Sequence, residues 1–95
     1  MRIFDVNYTD SAINDLIGIR SYITIKNPPS ANKVANDIRS ACESLSTNPY
    51  RGRSGFDPET LELVSCKPYI IVYRVEEPNT VSILRIMHSA QQRRS

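Results

Sequence analysis

Apolar residues change their spacing along this chain. Ala12, Ile13, Leu16, Ile17, Ile19 and Ile23 recur at steps of three and four, with Asn14, Asp15, Arg20 and Ser21 mostly opposite. That is the period of one wide helical stripe. Ala31, Val34, Ala35, Ile38, Ala41, Cys42 and Leu45 repeat it more cleanly, against Asn32, Lys33, Asn36, Asp37, Arg39, Ser40 and Glu43. From Leu61 to Ser89 the chain is instead dense in Val, Ile and Tyr, broken at Lys67-Pro68 and at Glu76-Glu77-Pro78-Asn79. This spacing predicts three short strands joined by tight connections. A further short strand is expected over residues 2–7, with Ile3, Phe4 and Val6 as its apolar side chains.

Local chemistry sets the boundaries. Thr9, Asp10 or Ser11 can each cap the first helix, which is expected to stop near Lys26-Asn27 because Pro28 disfavours helical geometry before it. Asn27-Pro28-Pro29-Ser30 then reads as a four-residue turn, with Asn27 or Ser30 capping the second helix. That helix is expected to end around Ser46-Thr47-Asn48, ahead of Pro49. Residues 49–60 carry two of the three glycines and two of the six prolines and read as a loop long enough to hold a function. The order strand, helix, helix, strand, strand, strand predicts an α+β domain. It combines an N-terminal strand, an antiparallel helical hairpin and a three-stranded meander, with both helices on one face of a four-stranded sheet.

Composition narrows the function. Ninety-five residues make one domain, 1–95, and 40% hydrophobic with 23% charged content is ordinary for a globular chain. No apolar run is long enough to span a membrane, and Met1–Asp5 lacks a signal-peptide hydrophobic region, so the expected location is the cytoplasm. The net charge is +2, all of it from residues 51–95, which is too little for a dedicated nucleic-acid binder. Cys42 and Cys66 have no metal-site spacing and read as buried free thiols. His88, the only histidine, has no second ligand near it and reads as a structural residue at the end of a strand. Neither a metal nor a cofactor is expected.

Alternation places Tyr69, Ile71, Tyr73 and Val75 on the core face of their strand, leaving Ile70, Val72 and Arg74 on the other. The last strand is apolar on both parities, so its register stays open. Arg74 and Arg85, inside strands, need solvent or partners. They fit either a solvated face with ion pairs to Glu62 or Glu76 or a binding surface. A sheet apolar on both faces with helices for only one leaves a patch that needs a partner.

Several pieces in order resemble one family. They are Val6-Asn7-Tyr8 before Ala12-x-x-Asp15-Leu16, Pro29-x-Ala31, and Leu45-x-x-x-Pro49 followed by Gly52-Arg53. Tyr69-Ile70-Ile71-Val72-Tyr73-Arg74-Val75 and Ile83-Leu84-Arg85-Ile86-Met87-His88 complete the set. Together they resemble the RelE/ParE superfamily of toxins from type II toxin–antitoxin modules, also called plasmid stabilisation proteins. The resemblance covers nearly the whole chain.

The superfamily has two branches with different implications. RelE-like members cut mRNA on the ribosome, which needs a base, an acid and cations on the phosphate. Where that branch carries basic side chains, this sequence has Leu61, Leu63, Ser65, Ile70 and Gln91. The chain is more similar to the ParE-like branch, which implies a non-enzymatic inhibitor of DNA gyrase neutralised by a cognate ParD-like antitoxin. The alternative, a RelE-like endoribonuclease, would draw on Lys67, Arg74, Arg85 and His88. The expected antitoxin-binding residues are Ile70, Val72, Arg74 and Arg85, and the expected target-binding residues are Arg51, Arg53, Arg93 and Arg94. The expected assembly is a homodimer or a toxin–antitoxin hetero-oligomer.

Overall fold

Thr9 opens the helical half of the molecule. Its side chain accepts a hydrogen bond from the Ala12 amide at 3.2 Å and so caps α1, Asp10–Lys26. The helix ends at Asn27, which is also the residue before α2, Pro28–Glu43. The expected four-residue turn is therefore a single residue. Pro28 and Pro29 occupy the first turn of α2, where a missing N–H costs nothing. A 3-10 turn, Ser44–Ser46, follows α2. The computed structural model describes residues 3–89, the side chains of residues 65 and 66 excepted. The Cys66 thiol lies outside that description, whereas Cys42 is buried in the core.

Five strands form one mixed sheet: β1 (Asp5–Tyr8), β2 (Arg53–Ser54), β3 (Leu61–Cys66), β4 (Tyr69–Glu76) and β5 (Thr80–His88), in the order β1-β5-β4-β3-β2. The meander β3-β4-β5 is antiparallel as expected, and β1 joins β5 in parallel. The strand missing from the sequence reading is β2, two residues inside the 49–60 loop, paired at Arg53↔Glu62 and Ser54↔Leu61. β1 starts later than expected: Phe4 is buried ahead of it and Ile3 is exposed. Among the described residues no helix is long and apolar enough to cross a membrane.

Both helices lie on one face and seal a core of Ala12, Ile38, Cys42, Leu45, Leu63, Ile71, Tyr73, Val81, Ile83 and Ile86. β4 follows the expected alternation, with Ile71 and Tyr73 buried and Tyr69 and Val75 packed against the same core. β5 obeys no single alternation because a one-residue bulge shifts its register between Tyr73↔Ile83 and Val72↔Arg85, with Leu84 as the extra residue. The bulge lets Ile83 and Ile86, three positions apart, both face the helices. That explains why the sequence alone left this register open.

Glycine in the 49–60 loop answers to the core. The Gly52 amide donates to the Tyr73 hydroxyl at 2.9 Å. A Cβ at position 52 would stand 2.6 Å from that hydroxyl and 2.8 Å from the Glu62 carbonyl. Only glycine allows this approach.

Candidate functional site

The sheet presents two candidate surfaces, its outer face and a cleft where α1 passes β5. On the outer face the side chains come from β2, β3, β4 and β5. Glu62 pairs with Val72 across β3–β4, so Glu62 faces outward while Leu61 and Leu63, opposite Tyr73 and Ile71, face the helices. The leucines read as standing in for basic groups therefore belong to the core side; the outward residue between them is Glu62. Ile70 is only 3% exposed, and Val72 and Arg74 are half-buried.

Charges on this face meet opposite charges. Arg53 reaches Glu62 through two contacts of 3.2 Å, and Glu62 is itself 4% exposed. A guanidinium over a buried carboxylate offsets what would otherwise be a costly burial. Arg74 lies 3.6 Å from Glu76, and the Arg74 Nε is buried without a hydrogen-bond partner. Arg51 donates to the Ser44 hydroxyl at 2.7 Å. Of the expected target-binding set, Arg51 and Arg53 thus share one loop near exposed Tyr50 and Phe56. Arg93 and Arg94, like Gln91, lie outside the described residues.

The second surface begins where β1 stops. β1 covers β5 only as far as Ile83, and α1 takes over from there. The Thr9 hydroxyl lies 2.9 Å from the Ile83 carbonyl and 3.0 Å from that of Leu84. Asp15 then accepts three hydrogen bonds: Arg85 Nε at 2.7 Å, an Arg85 terminal nitrogen at 3.1 Å and the Ile86 amide at 2.9 Å. Although it pairs with Val72, Arg85 thus reaches round the sheet edge to α1. The hydrogen bonds that Arg85 donates to Asp15, with the carboxylate's charge, push the guanidinium pKa up and hold it charged.

Beside this clamp is an open cleft of about 570 Å³, with Gly18, Tyr22, Tyr69 and His88 on its walls. The Tyr69 and His88 rings meet edge to face at 5.7 Å, and burial raises the Tyr69 pKa. Sequence reasoning singled out Arg85 and His88 but not Asp15, Gly18 or Tyr22. The available signal was an acid beside the apolar stripe of a helix that must cross a strand carrying an arginine.

The structure divides the residues expected to act together. Ile70, Val72 and Arg74 belong to the outer face, with Ile70 buried, whereas the Arg85 side chain ends at α1. Among Lys67, Arg74, Arg85 and His88, the cleft brings together only Arg85 and His88. Lys67 is exposed in the β3–β4 turn. Arg74 pairs with Ser82, five positions along β4 from the Tyr69↔His88 pair, about 17 Å by strand rise.

Comparison with known proteins places this geometry. Residues 6–93 match the family model for the ParE toxin of the type II toxin–antitoxin system parDE. Toxin RelE2 of Caulobacter vibrioides (strain ATCC 19089 / CIP 103742 / CB 15) is 40% identical over 87 residues, covering 90% of this chain and 96% of that protein. Y4kP of Sinorhizobium fredii (strain NBRC 101917 / NGR234) is 38% identical over 88 residues, covering 92% of this chain and 90% of that protein. Among solved structures, the chromosomal ParDE toxin–antitoxin system from P. aeruginosa superimposes with a TM-score of 0.82 at 24% identity. The match covers 90% of this chain and 96% of that one, a likeness of fold. The RelBE2 toxin–antitoxin complex from Mycobacterium tuberculosis gives a TM-score of 0.63 at 26% identity, covering 93% of each chain. The chain belongs to the ParE toxin family, within the RelE/ParE superfamily of type II toxin–antitoxin toxins.

Proposed function

We propose that this toxin acts in the cytoplasm by binding DNA gyrase, without a turnover reaction of its own, and that a ParD-like antitoxin neutralises it. The observation that carries the reading is the state of the sheet's arginines. Arg53, Arg74 and Arg85 each lie against a different carboxylate, Glu62, Glu76 and Asp15. Between them the outer face carries Ile70, Val72 and Met87. Cleaving a phosphodiester requires cations converging on one phosphate as charge develops. Dispersed, neutralised arginines around an apolar centre suit contact with another protein better.

On this reading Val72 and Arg74 are antitoxin contacts on the outer face, beside buried Ile70. Arg51 and Arg53, with Arg93 and Arg94 of the tail, meet the target. The solved RelBE2 toxin–antitoxin complex supports an antitoxin as partner; the assembly on this reading is a toxin–antitoxin hetero-oligomer or a homodimer of the toxin.

A RelE-like endoribonuclease is the second reading, and one observation favours it. Arg85 and His88 share a cleft with two tyrosines, so a cation and acid–base groups stand together there. Controlled expression separates the two. Gyrase inhibition gives an early DNA-damage response with loss of supercoiling while translation continues. Rapid translation arrest with cut transcripts would instead select the nuclease.

A further inference from the structure

We propose that the 49–60 loop is a preformed binding element for a folded target protein, with the Phe56 ring as the anchor that enters an apolar pocket on it. This rests on the reading of Arg51 and Arg53 as contacts to gyrase. The first observation is the contrast between the chain's two phenylalanines. Phe4 is 3% exposed in the core, whereas Phe56 is 75% exposed. Tyr50, in the same loop, is 58% exposed. A phenyl ring brings a large apolar area to an interface, and aromatic residues are enriched where proteins meet.

The second observation is how firmly the backbone that carries the ring is held. The Gly55 amide donates to the Thr60 carbonyl at 2.9 Å, closing a turn with Phe56 inside it. Within that turn the Thr60 amide and hydroxyl both donate to the Asp57 carbonyl, at 3.0 and 2.9 Å. The Glu59 amide donates to the Asp57 carboxylate at 3.0 Å. Thr60 is 7% exposed, and a Cβ at position 55 would collide with its hydroxyl and stand 2.9 Å from its carbonyl oxygen. Before the turn, β2 pairs with β3 and Gly52 is seated on Tyr73. The loop is thus fixed at both ends and across its middle, while its apolar side chain faces water. Order set before binding lowers the entropy lost on association.

Charge decides between a protein and a nucleic acid as the partner. Arg51 and Arg53 are offset by Asp57 and Glu59, so residues 50–60 carry no net charge. Binding to a phosphate backbone relies on uncompensated cations and the counterions they release. A neutral element with an exposed ring instead matches a protein interface, apolar at its centre and polar at its rim. The Arg53 side chain is 61% exposed even while it holds Glu62, so it offers a partner carboxylate a place at the edge of the contact. The pocket so defined admits a phenyl ring beside an acidic group. The loop also stands at the β2 edge of the sheet, two strands away from β4 with its Val72 and Arg74.

The test is inhibition of gyrase supercoiling by purified Phe56→Ser and Phe56→Leu toxins, each also titrated with the product of the adjacent small reading frame. The position is exposed, so both variants are expected to melt within a few degrees of wild type. Phe56→Ser is expected to need roughly tenfold more toxin for half-inhibition, and Phe56→Leu, which keeps an apolar side chain, no more than about threefold. Both are expected to bind the reading frame's product within about twofold of wild type. A folded Phe56→Ser toxin that inhibits like wild type would overturn the anchor assignment while leaving the gyrase reading standing. A matching loss of affinity for the product would assign the loop to the antitoxin and also overturn the proposal. Wild-type toxin that leaves supercoiling unimpaired would remove both the gyrase reading and this site. Binding of wild-type toxin to bare duplex DNA, abolished by Phe56→Ser, would assign the ring to nucleic acid and overturn the proposal. If Phe56→Ser fails to fold, Phe56→Gln, closer in size, decides the matter in the same way.

Discussion

α1 and α2 are nearly the same length, 17 and 16 residues, and pack side by side on one face of the sheet, yet they are built differently. On α2 the buried residues Ala31, Ala35, Ile38, Ala41 and Cys42 lie in one stripe and the remaining surface is polar or charged. On α1 only Ala12 is fully buried, while Ile13, Ile17 and Ile25 are exposed. α2 has one apolar side, and the core uses it. α1 has two, and the folded chain covers only one. The core therefore does not account for the apolar character of Ile13, Ile17 and Ile25.

The widest separation is expected from paired truncations. Ile38→Ala removes a fully buried side chain from the core and is expected to lower stability by about 2–5 kcal/mol in denaturant titrations. Ile17→Ala is expected to change it by no more than about 0.5 kcal/mol. Equal losses at the two sites would end the distinction between the helices.

Asp15→Ala comes next. It leaves the Ile86 amide and the Arg85 guanidinium without their shared acceptor, an expected loss of about 1.5–3 kcal/mol. Amide exchange should then rise at Ile86 and leave the β3–β4 pairing unchanged. An unaltered stability would mean that the clamp does not hold α1 to β5.

Tyr73→Phe is smaller, about 1 kcal/mol for the bond to Gly52. Burial raises the Tyr73 pKa, so the folded state holds the phenol proton more tightly than the unfolded chain does. The linked stabilisation is complete below the unfolded value, about 10, and is lost as pH rises through the higher folded value. Unfolding measured from pH 8 to 11 should show a shallower alkaline decline in Tyr73→Phe than in wild type. The smallest effect is a gain: Gly18→Ala is expected to stabilise free toxin by about 0.5–1 kcal/mol. A loss instead would show that position 18 needs glycine for the fold itself.

Much of the fold was legible because its signals are local. Alternation in β4 identified the core face, and the period of α2 identified its buried stripe. The same rule misassigned Ile13 and Ile17, because periodicity reports apolar positions and cannot say which of two apolar sides the core takes. The turn at Asn27 was shorter than four residues because both prolines fit the first helical turn. The Leu84 bulge was hidden in a strand apolar on both parities, and the short β2 lacks any apolar pattern. The candidate site was least legible. Whether Asp15 faces solvent or Arg85 depends on where α1 crosses β5, a tertiary fact absent from residue spacing. Burial of Glu62 and Ile70 on the outer face is of the same kind.

Gyrase supercoiling in vitro with purified toxin, alone and with the adjacent reading frame's product added, tests the central claim most directly. The account predicts dose-dependent inhibition that the added protein reverses, and no cleavage of ribosome-bound message at matching concentrations. Unimpaired supercoiling together with efficient cutting of that message would contradict it.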